Sequence, residues 1–270
     1  MASINTNYGA SIALQNLNKT NAQLEMTQNR VNTGMKVSSA KDSGAIYAIA
    51  TGQRANMGAM ESVRASLQRG QSIVDVALAA GDTVTAALEE MKGLAVSIAG
   101  STGATQTSYL TDFRALGAEI TSALAGAGFD GVNLWTGATA TNLIKDVSGG
   151  TTAIGFTVAG GMAADTAITT ITNQAIAAGA ATTGAVDAAI AKVTEALSTL
   201  GTQSKSVGRQ VTFLNKLQDA TEAGIGNLVD ADLAKESARL TALQTKQQLG
   251  VQALSIANSS SQTLLSLFRN

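Results

Sequence analysis

Few residues in this chain are of types that perform chemistry. Histidine and cysteine are both absent, which removes the commonest general base and the usual ligands of zinc and copper. The run GAGFDG at Gly126–Gly131 matches the dinucleotide fingerprint G-x-G-x-x-G. That fingerprint works only after a strand, and a helical pattern precedes this run. We therefore interpret the run as the end of a helix followed by a turn.

The acidic residues do not form a site either. Asp230 and Asp232 lack further acidic ligands at the spacing of a calcium loop. We interpret them as residues at a helix start, where carboxylates interact favourably with the helix dipole. Glu89 and Glu90 are neighbours on a predicted helix, so their side chains point in different directions. The sequence predicts no catalytic residue, no cofactor, no metal site and no enzyme.

The composition favours helices packed closely on one another. Hydrophobic residues make up 45% of the chain, yet aromatic residues only 3%, so the apolar mass is mostly alanine, valine and leucine. A net charge of −1 argues against nucleic acid as a partner. The apolar runs fall short of the ~20 residues that a membrane span needs, so we expect no membrane partner. The N-terminal residues also lack the pattern of a cleaved signal peptide.

The strongest structural signal is a heptad pattern that predicts one long helix between Met60 and Ile98. Every position of its seam is apolar or glycine, with alternating steps of three and four residues. The seam consists of Met60, Val63, Leu67, Gly70, Val74, Ala77, Gly81, Val84, Leu88, Met91, Ala95 and Ile98. So long a stripe needs a partner helix of similar length.

A second heptad seam, at Val186–Leu228, supplies that partner, and its predicted core positions include Val193, Leu197, Leu200, Val207, Val211 and Leu214. We expect the two helices to pair antiparallel as a coiled-coil rod. A shorter helix at Thr107–Ala125 should fold back on the rod, because the loop before it is short.

Gly126–Ala181 is rich in Gly, Thr and Ala and predicts two or three hairpin strands that cap the helices or project from them. The predicted fold class is mainly α, with a small β-hairpin region in mid-chain.

Both ends of the chain carry a weaker amphipathic helix. The N-terminal one, Ser11–Met35, places Leu14, Leu17, Leu24 and Val31 on one face, and the C-terminal one starts at Leu233. The apolar face of the C-terminal helix consists of Leu233, Leu240, Leu243, Leu254, Leu264 and Phe268. Breaks at Gly34–Gly44 and at 228–233 separate these helices from the rod. Helices with such weak seams are expected to become ordered only on assembly.

Four segments resemble the bacterial flagellin family. They are INTN at Ile4–Asn7, NRVNTGMKVSSAKDSGAIYAIA at Asn29–Ala50, GFDGVNLW at Gly128–Trp135, and the C-terminal stretch 228–267. The resemblance implies a structural subunit that polymerises with other flagellin subunits into the filament of the bacterial flagellum and serves motility. It also implies secretion by type III export to the cell exterior, with the export apparatus, a chaperone, the cap protein and the hook–filament junction proteins as partners.

The same resemblance implies a division into domains. Residues 1–35 and 233–270 would form the inner assembly domain, residues 36–125 and 186–232 the rod, and residues 126–185 a variable, surface-exposed tip. At 270 residues the chain has little room for a longer outer domain. Ser- and Thr-rich residues 136–172 are either ordinary surface loop or carriers of O-linked sugars.

One stretch departs from the family pattern. The segment that an innate immune receptor contacts usually reads LQRVRELAV in the family, whereas Leu88–Val96 reads LEEMKGLAV here. The altered stretch contains Glu89, Glu90 and Leu94, and Glu90 stands where the family carries arginine. We expect this charge reversal to weaken recognition by the vertebrate flagellin receptor.

The alternative reading is a signalling coiled coil of the chemoreceptor-like hairpin class. Such hairpins also contain long Ala-rich heptads, but a tight turn joins their arms. Here a glycine-rich segment of some fifty residues lies between the arms, and such hairpins lack the pattern at Asn29–Ala50.

Overall fold

The computed structural model describes the backbone of residues 7–267 and the surroundings of side chains as far as Ser259. The fold is mainly α with a small β region, as predicted. Its helices are α1 Tyr8–Thr33, α2 Gly44–Ala99, α3 Gly103–Gly126, α4 Thr166–Thr172, α5 Thr183–Val229 and α6 Leu233–Leu267. Its strands are β1 Gly128–Phe129, β2 Val132–Asn133, β3 Thr141–Ile144 and β4 Thr151–Ile154. Within these described residues, no helix is long and apolar enough to cross a membrane.

The chain forms two compact units. The first contains the described residues up to Ala55 together with those from Ala220 onward, and the second contains Asn56–Asp219. Helices α1 and α6 belong to the first unit. Helices α3 and α4, all four strands and most of helices α2 and α5 belong to the second unit.

Helices α2 and α5 pair antiparallel in the second unit. Lys92 Nζ lies 2.6 Å from Asp187 Oδ1, the side chain of Leu197 packs against Gly81, and Arg64 donates to Gln218 at 3.4 Å. As residue numbers rise along α2 they fall along α5, which defines the direction of the pair. The apolar seams meet between the helices, because burying each Leu or Val side chain contributes about 1.5–3 kcal/mol.

Helix α3 folds back along α2, as its short connection predicts. The Gln106 side chain donates to the Ile98 carbonyl at 3.0 Å and so satisfies one of the free carbonyls at the end of α2. Phe113, Ile120 and Leu124 are buried on the inner face of α3. Their spacings of seven and four residues keep them on one side of the helix.

The middle of the chain contains two hairpins. Between β1 and β2, Asp130 and Gly131 both have positive φ, 52° and 74°, the conformation of a two-residue Asp-Gly hairpin turn. Gly126–Gly131 therefore ends α3 and turns the chain. Strands β3 and β4 pair antiparallel, with Thr141 opposite Ile154.

The prediction of hairpin strands alone for this region was incomplete. Helix α4 lies within it. Trp135, Leu143, Ile154 and Ile171 are buried and complete the core of the second unit. A seven-residue helix is too short for its period to stand out in the sequence.

In the first unit, the predicted break between α1 and α2 is present. Helix α1 ends at Gly34, whose φ of 70° is left-handed. The Asp42 carboxylate accepts hydrogen bonds from the backbone N–H and the hydroxyl of Ser38 and of Ser39, at 2.9–3.1 Å. The connector between α5 and α6 is hydrogen-bonded to the connector between α1 and α2. The Lys36 N–H donates to the Val229 carbonyl at 2.6 Å, and the Ala231 N–H donates to the Gly34 carbonyl at 2.9 Å.

Candidate assembly surface

Helices α1 and α6 pack against each other as an antiparallel pair within a single chain, whereas their weak seams predicted that they become ordered only on assembly. Arg30 Nη1 lies 3.2 Å from Glu236 Oε1, and Gln247 donates to Asn21 at 2.9 Å. Asn7 donates to the Ala257 carbonyl at 2.8 Å, and Leu17 packs against Gly250. These contacts join residues more than two hundred positions apart and set the alignment of the two helices.

The inner positions of both helices follow a heptad spacing. On α1 the less exposed positions include Ala13, Leu17, Thr20, Leu24, Thr27 and Val31; on α6 they are Glu236, Leu240, Leu243, Gln247, Gly250, Leu254 and Ala257. Several of these are polar or lack a side chain. Thr27 and Glu236 are only 2% and 8% exposed. The seam therefore buries little apolar surface compared with that of α2 and α5.

The Arg30–Glu236 pair is incompletely satisfied. Arg30 Nε and Glu236 Oε2 are both buried without a hydrogen-bond partner among the described residues. A buried ion pair with unmet hydrogen bonds gains little net stability, because desolvation offsets the attraction. We therefore interpret the pair as an element that aligns the two helices and adds little to their stability.

Large apolar side chains lie on the outside of the same two helices. They are Tyr8, Ile12, Leu14 and Met26 on α1, and Leu233, Leu249, Val251 and Ile256 on α6. Tyr8 is 79% exposed and Ile256 is 67% exposed. Exposed apolar residues concentrated in one part of a protein mark an interaction surface.

The ten predicted interface residues fall into four groups. Leu24 and Leu243 are buried between the helices; Leu17, Val31, Leu240 and Leu254 are half-buried there; Leu14 and Leu233 are exposed; Leu264 and Phe268 lie outside the residues whose side chains are described. Leu14 is exposed because the heptad seam passes through Ala13, one position away. Sequence reasoning missed Tyr8, Ile12, Met26, Leu249, Val251 and Ile256. The sequence feature that could have identified these residues is that each is a large apolar residue on a helix face otherwise made of amide and hydroxyl side chains.

The predicted rod residues lie in the core of the second unit. All eight from α2 are buried: Met60, Val63, Leu67, Val74, Val84, Leu88, Met91 and Ile98. On α5, Val193, Leu200, Val207 and Leu214 are buried, whereas Leu197 and Val211 are half-buried and pack against that core. Gly81 leaves the space that Leu197 and the Trp135 ring occupy.

The altered receptor stretch lies on the surface of α2. Glu89 and Glu90 are exposed, while Leu94 is half-buried beside Leu116 of α3. No group of three or more His, Cys, Asp or Glu residues within the described part of the chain is placed to bind a metal ion.

Comparison with known proteins assigns the chain to a family. The family model of the bacterial flagellin N-terminal helical region matches residues 4–140, and that of the C-terminal helical region matches residues 183–268. Flagellin FljM of Caulobacter vibrioides is 51% identical, with 99% of this chain and 98% of the relative covered. The flagellin of Brucella melitensis is 39% identical and Flagellin C of Rhizobium meliloti 34%, both over the full length of each chain. The chain belongs to the bacterial flagellins, the structural proteins of the flagellar filament.

Proposed function

We propose that the α1–α6 pair is the element through which this flagellin joins its neighbours in the filament. The observation that carries the proposal is the arrangement of the pair. Its inner seam is partly polar, while large apolar side chains such as Tyr8, Leu249 and Val251 are exposed. Packing further subunits around the pair would remove these side chains from water, which is the main driving force of association.

Charge density supports this role. In the 26 residues of α1 only Lys19, Glu25 and Arg30 are charged, and Arg30 is already paired with Glu236. A helix that stays in solvent usually carries many charged pairs on its outer face. A surface with few charges loses little hydration when neighbouring subunits cover it.

The proposal extends to the organisation of the subunit in the filament. Residues 1–35 with 233–270 form the inner domain, residues 36–125 with 186–232 the rod around it, and residues 126–185 the outward-facing tip. Lys145, Ser148 and Gly149 in the β3–β4 turn are exposed, which is consistent with an outer position for that turn. Family membership also supports export to the cell exterior, with the export apparatus, its chaperone, the cap and the hook–filament junction proteins as partners.

The test is one substitution with a matched control. Val251→Asp places a carboxylate on the exposed surface of α6, and Val147→Asp makes the same change at the β3–β4 turn. Both sites are already solvated in the free subunit, so both variants should retain the helix content of the unaltered chain. Only Val251→Asp should abolish seeded filament growth, because the carboxylate would be buried unpaired in the polymer. Normal filaments from Val251→Asp would exclude the α1–α6 surface as the assembly element.

A further inference from the structure

A shallow groove with acidic edges lies between α2 and α3. It is lined by Glu90, Gly93, Leu94, Asp112, Ala115 and Leu116. Gly93 and Ala115 keep its floor low, and Leu94 and Leu116 make it apolar. Glu119 lies one heptad after Asp112, on the same face of α3, and both are exposed. We call these seven residues the acidic groove.

Among the described residues, the basic side chains next to the acidic groove form no ion pair with its acids. Lys92 is paired with Asp187 at 2.6 Å, and Arg114 donates to the Ile176 carbonyl at 2.6 and 3.2 Å. Among residues 7–259, neither Asp112 nor Glu119 has an ion-pair partner. Glu90 on α2 and Asp112 on α3 therefore border the apolar floor without ion-pair partners among the described residues.

A surface of opposite charge lies on α5 of the same unit. Lys205, Arg209, Phe213 and Lys216 follow one another in steps of four, four and three residues, and all four are exposed. Phe213 is 63% exposed. Within the described side chains, none of the three cations has an ion-pair partner. We call these four residues the basic stripe.

The two surfaces match in spacing as well as in charge. Asp112 and Glu119 are seven residues apart, as are Arg209 and Lys216, so each pair spans about 10 Å along its helix. Ala115 and Leu116 lie between the two acids, and Phe213 lies between the two cations. Laid together, the surfaces would seat the Phe213 ring on the groove floor with an ion pair on each side.

The two surfaces of one chain cannot meet each other. The contacts of Arg64 with Gln218 and of Lys92 with Asp187 show that Phe213 lies opposite the part of α2 near Gln68. The acidic groove lies beside Gly93. This difference of about 25 residues along α2 corresponds to roughly 35 Å.

We propose that the basic stripe of one subunit docks in the acidic groove of a neighbouring subunit in the filament. The occupant is thus a second copy of this chain, and the inference rests on the proposed function. The two surfaces share no residue, so the contact is heterologous, which is the type of contact from which an open helical polymer is built. Two parallel copies in this contact would be offset by roughly 35 Å along their rods.

A charge-swap experiment tests the contact. The first variant, Asp112→Lys/Glu119→Lys, makes both surfaces of a subunit basic, and the second, Arg209→Glu/Lys216→Glu, makes both acidic. Each alone should raise the critical concentration for seeded growth roughly tenfold or more, because like charges then face each other. An equimolar mixture should regrow filaments in which the variants alternate. The control Asp75→Lys/Asp82→Lys changes two exposed acids at the same heptad spacing outside the groove and should grow normally.

The outcomes separate this contact from the proposed function. If the unaltered chain grows filaments and each swap variant alone grows as well, the docking contact is wrong while the proposed function stands. If the variants fail alone and also fail when mixed, the pairing of these two surfaces is likewise overturned. If the unaltered chain does not polymerise, both proposals fail. Phe213→Ser provides a charge-neutral check, and it should impair growth while leaving the thermal melt of the free subunit unchanged.

Discussion

The indole nitrogen of Trp135 donates a hydrogen bond of 2.8 Å to the backbone carbonyl of Ala77 in the interior of α2. Trp135 is fully buried, and its ring lies beside Gly81. This contact attaches the segment after the β1–β2 hairpin to the middle of a helix whose carbonyls are otherwise used within the helix. The glycine is needed there, because a methyl group at position 81 would overlap Leu197 and the ring.

We expect Trp135→Phe to lower the free energy of unfolding by about 1–3 kcal/mol, since it removes a buried hydrogen bond and leaves a small cavity. Circular dichroism during urea unfolding measures the change. Phe129→Leu, which alters an aromatic residue that is 40% exposed, is the control and should shift the midpoint little. An unchanged midpoint for Trp135→Phe would show that the contact contributes nothing to stability.

The pair formed by Arg30 and Glu236 makes a second prediction. Glu236→Ala should destabilise the chain by about 2 kcal/mol, because it leaves a largely buried guanidinium without its partner. Replacing both residues by apolar ones, as Arg30→Met/Glu236→Leu, should recover most of that loss. Urea unfolding measures both variants.

The exposed Lys192–Glu195 pair is the comparison for this experiment, and Glu195→Ala should change nothing measurable. If the double variant is as unstable as Glu236→Ala alone, the pair is a net source of stability and our interpretation of it as an alignment element is wrong.

Asp42 makes a prediction about pH. The backbone N–H of Ser39, followed by its hydroxyl and by the corresponding groups of Ser38, holds the pKa of the Asp42 carboxyl below its ordinary value of 3.8. Because the pKa is lower in the folded chain, these hydrogen bonds contribute fully above pH 3.8. The contribution is lost as the pH falls through the folded pKa.

A carbon-detected NMR titration of the Asp42 carboxyl should therefore have its midpoint below pH 3.8. Ser38→Ala/Ser39→Ala removes the two hydroxyl donors but keeps the backbone donors, so it should raise the midpoint only part of the way. A midpoint at or above the ordinary value in the unaltered chain would mean that the connector does not hold the carboxylate as described.

The fourth prediction concerns Glu90, which is exposed on α2 at the position where the resemblance to the family leads us to expect arginine. Purified monomer should activate reporter cells carrying the vertebrate flagellin receptor weakly, and Glu90→Arg should increase that activation. The same reversal at exposed Asp82 should have no effect. Full activation by the unaltered monomer would refute the expectation that this chain evades the receptor.

Much of the second unit was predictable because its pattern is strong. In α2, apolar residues or glycine occupy every seam position from Met60 to Ile98. Only one face of the helix is apolar along its whole length, so the heptad period alone identifies both the helix and the face that is buried. The breaks near Gly34 and Val229 were predictable for the same kind of local reason. Gly34 is left-handed, and Asp232 caps α6 because its carboxylate accepts hydrogen bonds from the Ala234 and Lys235 backbone N–H groups at 3.1 Å.

The seam between α1 and α6 was not predictable in detail. Thr20, Thr27, Glu236 and Gln247 occupy inner positions, so hydrophobic periodicity placed Leu14 on the buried face when the seam passes through Ala13. What selects the face is a set of contacts such as Asn21 with Gln247, whose partners are far apart in the chain.

The sequence by itself determined where the long helices run and which stripes of α2 and α5 are buried, because those are properties of local spacing. Only the tertiary structure decided that Trp135 reaches Ala77, that Arg30 meets Glu236, and that charged surfaces of opposite sign are about 35 Å apart along α2. Each of these depends on how distant segments are aligned. Alignment is set by the sum of many contacts across the fold, which no single stretch of residues encodes.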